Sequence, residues 1–180
     1  MLIIFFVDSV STIAVSDNGK YLASSSPDKS IKLWSFEKFK LEYTWSSAHS
    51  REFVYKLMGL TQFCLEYVNR ILITPDSEKI LSASTDNTIK IWSIADKNLV
   101  HTFNQVHIRN YCNPIHLVKL AHAIDDVISM AITPDGEYVI SGSSNKSIKI
   151  FSLTTYQQYH TFEDPNLCKF PLLITRLHYS

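Results

Sequence analysis

Lys79 to Trp92 reads KILSASTDNTIKIW, and the same pattern stands at Tyr21 to Trp34 (YLASSSPDKSIKLW) and at Tyr138 to Phe151 (YVISGSSNKSIKIF). The copies lie 58 and 59 residues apart and align without a gap. Self-similarity at a fixed period marks a repeat architecture, in which each unit buries its apolar faces against its neighbours. The register extends beyond the quoted stretch: Val10, Val68 and Val127 correspond, as do Trp45, Phe103 and Phe162. Three units follow, at 8–45, 66–103 and 125–162, joined by connections at 46–65 and 104–124, within one domain spanning 1–180.

Each unit reads as strands separated by turn residues. In the first, Val10, Ile13 and Val15 lie in a β-rich run, and Asp17-Asn18-Gly19 forms a turn before Tyr21 to Ser26 resumes an extended pattern. Pro27-Asp28-Lys29 breaks the chain again, Ser30 to Trp34 alternates apolar and polar residues, and Leu41 to Trp45 supplies a fourth strand. The second and third units repeat this order around Pro75-Asp76-Ser77 and Thr85-Asp86-Asn87, and around Pro134-Asp135-Gly136 and Ser144-Asn145-Lys146. The fold class is therefore all-β, built of four-stranded antiparallel meanders. The two connections do not resemble one another, and each is apolar enough (FVYKLMGL, IHLVKLAHAI) for a short helix or an extra strand.

Composition narrows the function classes. The 180 residues are 46% hydrophobic, which suffices for a real core, and 17 basic residues balance 17 acidic ones. With no block of like charge, neither nucleic acid nor an anionic membrane is an expected partner. Cys64, Cys112 and Cys168 are widely spaced and odd in number, which indicates neither a disulfide framework nor a zinc site. An intracellular, non-secreted setting is expected, since MLIIFFVDS lacks the basic segment of a signal peptide and no apolar run is long enough to span a bilayer.

The four-stranded unit carrying a turn Asp followed by IK-(I/L)-W resembles the WD-repeat family of β-propellers. The turn aspartate falls on Asp28 and Asp86 and is replaced at Asn145; the aromatic falls on Trp34 and Trp92 and is replaced at Phe151. The resemblance implies a hydrogen-bonded set of His, Ser or Thr, Asp and Trp holding each blade together. His122 in AHAIDDV takes the place of the family's Gly-His, with Phe63 and Phe5 at the matching positions earlier, so no unit is expected to combine His, Asp and Trp. The family's second signature residue is Ser at Ser35, Ser93 and Ser152, at a position the resemblance implies to be exposed. Three blades do not close a ring, because propellers have about four to eight. The register places both chain ends inside connections, so an incomplete or open propeller is expected, completed by missing blades, by self-association or by a partner.

The resemblance implies a non-catalytic protein-interaction scaffold that binds partners through the face carrying the inserted connections. Candidate contacts there are Phe53, Tyr55, Leu57, Tyr111, Ile115 and Leu117, since aromatic residues are enriched at interface hot spots. Two readings compete with this one. The blades are an appendage or a non-functional piece of a longer protein whose activity, a kinase for example, lies elsewhere, or the inserted loops carry a metal-dependent hydrolase site. His49, His107, His116 and His122 lie in the connections, but without H-E-x-x-H or a cysteine pair they read as capping or surface residues. No cofactor, metal or catalytic residue is assigned, and the serine-rich strands read as hydrogen-bonding across the blade. Lys32, Lys90 and Lys149 share one register and read as stems packed on the blade with the charge in water.

Overall fold

The computed structural model describes residues 9–49, 54–57, 60–63, 67–104, 106–107, 126–144 and 146–162. Three four-stranded antiparallel sheets occupy the three repeat units. The first is β1 (Thr12–Val15), β2 (Tyr21–Ser25), β3 (Ile31–Ser35) and β4 (Lys40–Trp45), in that spatial order. β5 (Val54–Leu57) and β6 (Leu60–Phe63) pair as a separate hairpin inside the first connection, which settles that connection as strand rather than helix. The second sheet comprises β7 (Val68–Ile73), β8 (Lys79–Ser84), β9 (Ile89–Ser93) and β10 (Leu99–Phe103). The third comprises β11 (Val127–Ile132), β12 (Tyr138–Ser143), β13 (Ile148–Ser152) and β14 (Gln158–Phe162). Among the described residues there is no helix, and none is long and apolar enough to cross a membrane.

The repetition reaches the backbone dihedrals. Three turn registers adopt left-handed φ in every unit: Gly19, Ser77 and Gly136 at 68°, 62° and 74°, Lys29, Asn87 and Lys146 at 69°, 63° and 68°, and Phe39, Lys97 and Tyr156 at 49°, 59° and 56°. For a residue with a Cβ this conformation costs about 1–2 kcal/mol, so the turns are held by their surroundings rather than by residue preference. Between the first two strands the holding group is an Asx-type turn. Asn18, Asp76 and Asp135 each accept a hydrogen bond through Oδ1 from the backbone N–H two residues on, at 2.9 Å in all three units.

The sheets stand in a row and bury their faces against each other. β7 lies beside β1 on one side and β11 on the other. Between the first two sheets, Ile31, Leu33 and Trp45 meet Val68, Ile71, Ile80 and Trp92. Between the second and third, Ile89, Ile91 and Phe103 meet Val127, Met130, Val139 and Phe151. The same register positions serve both interfaces, each buried Ile, Leu or Phe contributing about 1.5–3 kcal/mol. The row is open: its three four-stranded blades are not closed into a ring.

Candidate functional site

The connections start at one edge of the blades and are fastened there. The Ala48 N–H donates to the Lys29 carbonyl at 2.9 Å, and the Val106 N–H donates to the Asn87 carbonyl at 3.1 Å. Where the chain returns, the Thr85 N–H donates to the Tyr67 carbonyl and the Ser144 N–H to the Asp126 carbonyl, at 3.1 and 3.3 Å. Both connections thus leave and re-enter beside the turns between the second and third strands. Asn87 adds a two-way lock: its side-chain amide donates to the His107 carbonyl, and its Oδ1 accepts from the His107 N–H at 2.8 Å.

The fastening places His49 and His107, fully buried, between successive units. His49 joins the second unit. Its Nδ1 lies 2.9 Å from Asp86 Oδ2 and 3.0 Å from Thr88 Oγ1, and its Nε2 lies 2.8 Å from Ser82 Oγ. Ser82 Oγ also accepts the Trp92 indole N–H at 2.8 Å, while Asp86 Oδ1 accepts from the Thr88 N–H and hydroxyl at 2.9 and 2.7 Å. One proton assignment satisfies the whole chain: indole N–H to Ser82, Ser82 O–H to His49 Nε2, and His49 Nδ1–H to Asp86. Burial pushes the Asp86 carboxyl up, but the hydrogen bond from His49 and the two from Thr88 outweigh it and hold the carboxyl below its usual 3.8.

This set corrects the expectation that no unit combines His, Asp and Trp. The histidine comes from the start of the connection, four residues after Trp45, whereas His122 lies outside the described residues. His107 stands four residues after Phe103 in the same way, and that shared spacing is the signal sequence reading could have used. Neither histidine is a surface group, and both ring nitrogens of each are engaged within the blades.

In the third unit His107 Nδ1 lies 2.5 Å from Ser147 Oγ and Nε2 lies 2.9 Å from Ser141 Oγ. Phe151 occupies the indole's place and packs on Phe103 at 4.7 Å. Burial, with the nearby Lys149 charge, lowers the His107 imidazole from 6.5 to about 4. Asn145 lies outside the described residues. In the first unit the Trp34 indole donates to Ser24 Oγ at 2.9 Å, and Asp28 Oδ1 accepts from the Ser30 N–H at 2.8 Å.

Two further expectations change. Ser35 is buried rather than exposed, and at its register the serine oxygen caps the following turn, accepting from the Lys38, Asp96 and Thr155 N–H groups in the three units at 3.0–3.1 Å. Lys90 does not keep its charge wholly in water, because its ammonium donates to the Ala48 carbonyl at 2.6 Å. Of the candidate contact residues, Tyr55 and Leu57 lie on β5, while Phe53, Tyr111, Ile115 and Leu117 lie outside the described residues. No group of three His, Cys, Asp or Glu able to hold a metal occurs among the described residues. At the opposite edge an open cleft of about 420 Å³ lies between the first two units, lined by Tyr21, Glu78, Lys79 and Asp96. Its Asp96 is tied to Ser93 at 3.0 Å.

A sequence profile described as "WD domain, G-beta repeat" matches residues 5–35, 60–93 and 114–152, more than half of the chain. The chain belongs to the WD-repeat family. It is 30% identical over 89 residues to Protein hir-1 of Neurospora crassa, a match covering 49% of this chain and 8% of that protein. It is 26% identical over 149 residues to WD repeat-containing protein 26 homolog of Arabidopsis thaliana, covering 81% of this chain and 20% of that protein. The chain therefore spans no more than about a fifth of the length of these relatives. WD-repeat domains are generally binding modules for other proteins and are generally not enzymes.

Proposed function

We propose that the chain is a protein-interaction scaffold that presents its two inserted connections, 46–65 and 104–124, as the partner-binding face. The observation that carries this reading is the fastening of both ends of both connections to the second-to-third-strand turns, with His49 and His107 as buried pins. Segments without mutual similarity are thereby anchored at the same turns of a repetitive base, the arrangement in which loops carry specificity and the scaffold carries stability. Tyr55 and Leu57 on the β5–β6 hairpin are candidate anchors in this reading, with Phe53, Tyr111, Ile115 and Leu117 from the remainder of the two connections.

Replacing 50–65 and 108–124 by short Gly-Ser linkers, with His49 and His107 retained, tests the assignment. Proteins captured specifically from cell extract by the intact chain should be lost, while the thermal unfolding midpoint stays within a few degrees. Retention of the same captured proteins by the linker variant would place the binding face elsewhere on the blades.

A further inference from the structure

Both inter-blade interfaces use one set of register positions, and the two ends of the row expose the halves left over. On the first blade Ile13 is 60% exposed, where its equivalents Ile71 and Met130 are 1% and 4% exposed against a preceding blade. On the third, Phe162 is 53% exposed, where Trp45 and Phe103 are both 6% exposed against a following blade. Val10 and Phe36 at one end and Ile148 at the other repeat the contrast.

One contact makes the two ends specific to each other. At the second interface His101 lies edge-on to Phe103, with centroids 4.7 Å apart at 72°, and Tyr156 of the next blade stacks on the same imidazole at 4.7 Å and 16°. The third blade carries the first half of this trio again: His160 lies edge-on to Phe162 at 4.5 Å and 72°. The register equivalent of Tyr156 on the first blade is Phe39, which shares its left-handed φ and is 84% exposed. The other equivalent, Lys97, cannot stack in this way and instead sets its ammonium 3.9 Å from Glu42 of the preceding blade. Phe39 thus matches an imidazole surface, and the chain's own free end offers one.

We infer that the free face of the third blade docks onto the free face of the first blade of a second copy of this chain, with Phe39 of one copy on His160 of the other. The contact is heterologous, and two copies joined head to tail make six blades, within the roughly four to eight that close a propeller. Closure covers Val10, Ile13, Phe36 and Phe39 at one end and Ile148 and Phe162 at the other, leaving no exposed blade face.

Sedimentation equilibrium of the purified 180-residue chain, from micromolar to the solubility limit, tests this. The expected mass is twice the 20.6 kDa of one chain. Phe39→Asp and Phe162→Asp both alter exposed side chains and should leave the far-ultraviolet circular dichroism unchanged. Each alone should be monomeric, and an equimolar mixture should regain dimer, because one intact interface remains between unlike variants. A monomeric parent chain overturns the inference. So does a dimer that either variant alone preserves, since that contact would join like faces or lie elsewhere.

Discussion

The second and third blades receive a histidine from the same register and use it differently. His49 completes a four-residue chain ending in a carboxylate at one side and an indole at the other. His107 meets two serine hydroxyls, and Phe151 replaces the indole with apolar packing. The folds around them are nearly superposable in register, so the difference shows that the pin and the polar network are separable. A buried imidazole suffices to fasten a connection to the next blade, while the carboxylate and indole determine how that fastening responds to acid and to substitution.

The largest effect should come from removing the carboxylate. Asp86→Ala leaves the His49 and Thr88 donors buried without their acceptor, and each buried group left unsatisfied costs about 1–3 kcal/mol. Urea unfolding followed by tryptophan fluorescence measures it. A cost below about 1 kcal/mol would show that His49 is held by Ser82 alone, as His107 is held by serines, and the comparison would collapse.

Acidification should distinguish the two blades next. The folded His107 takes up its proton only near 4, whereas the unfolded imidazole does so near 6.5. Its stabilising contribution is therefore complete above 6.5 and is lost as pH falls toward 4. Asp86 has the opposite origin and a lower window: its folded carboxyl lies below 3.8, so its contribution persists above that value and is lost only as pH falls beneath it. His107→Gln, which keeps a hydrogen-bonding side chain, should flatten the decline of the unfolding midpoint between pH 6.5 and 4. An unchanged profile would mean that another group governs acid sensitivity in that range.

The smallest change tests the indole. Trp92→Phe makes the second blade resemble the third and removes one donor from Ser82, which keeps His49 as a partner. The expected cost is about 1 kcal/mol, with the unfolding transition otherwise unaltered. A cost several times larger would assign the tryptophan's main role to its packing against Trp45, whose ring centre lies 5.8 Å away.

Most strands were readable within a residue or two, because turn residues recur at fixed offsets between β-rich runs. Tyr21 to Ser26, expected as a strand, forms β2 at Tyr21–Ser25, and Lys79 to Ser84 forms β8 at those bounds. The histidine pins were not readable in the same way. The family-like position lies just before the first strand of each unit, and the connection inserted between His49 and Val68 hides the relation. Ser35 was misplaced for a related reason: a small hydroxyl closing a turn on its own backbone is buried by that turn, whatever its polarity.

Repetition is a property of the chain that survives without coordinates, since a unit that must stack on copies of itself has to keep its apolar register. The period from Trp34 to Trp92 to Phe151, the four strands per unit and the identity of the turns all follow from that requirement. Contacts between units do not, because they join residues tens of positions apart through angles no local preference encodes. The pairing of His49 with Asp86, the stacking of Tyr156 on His101 and the exposure of Phe39 at one end of the row and of His160 at the other were decided only when the blades were set side by side.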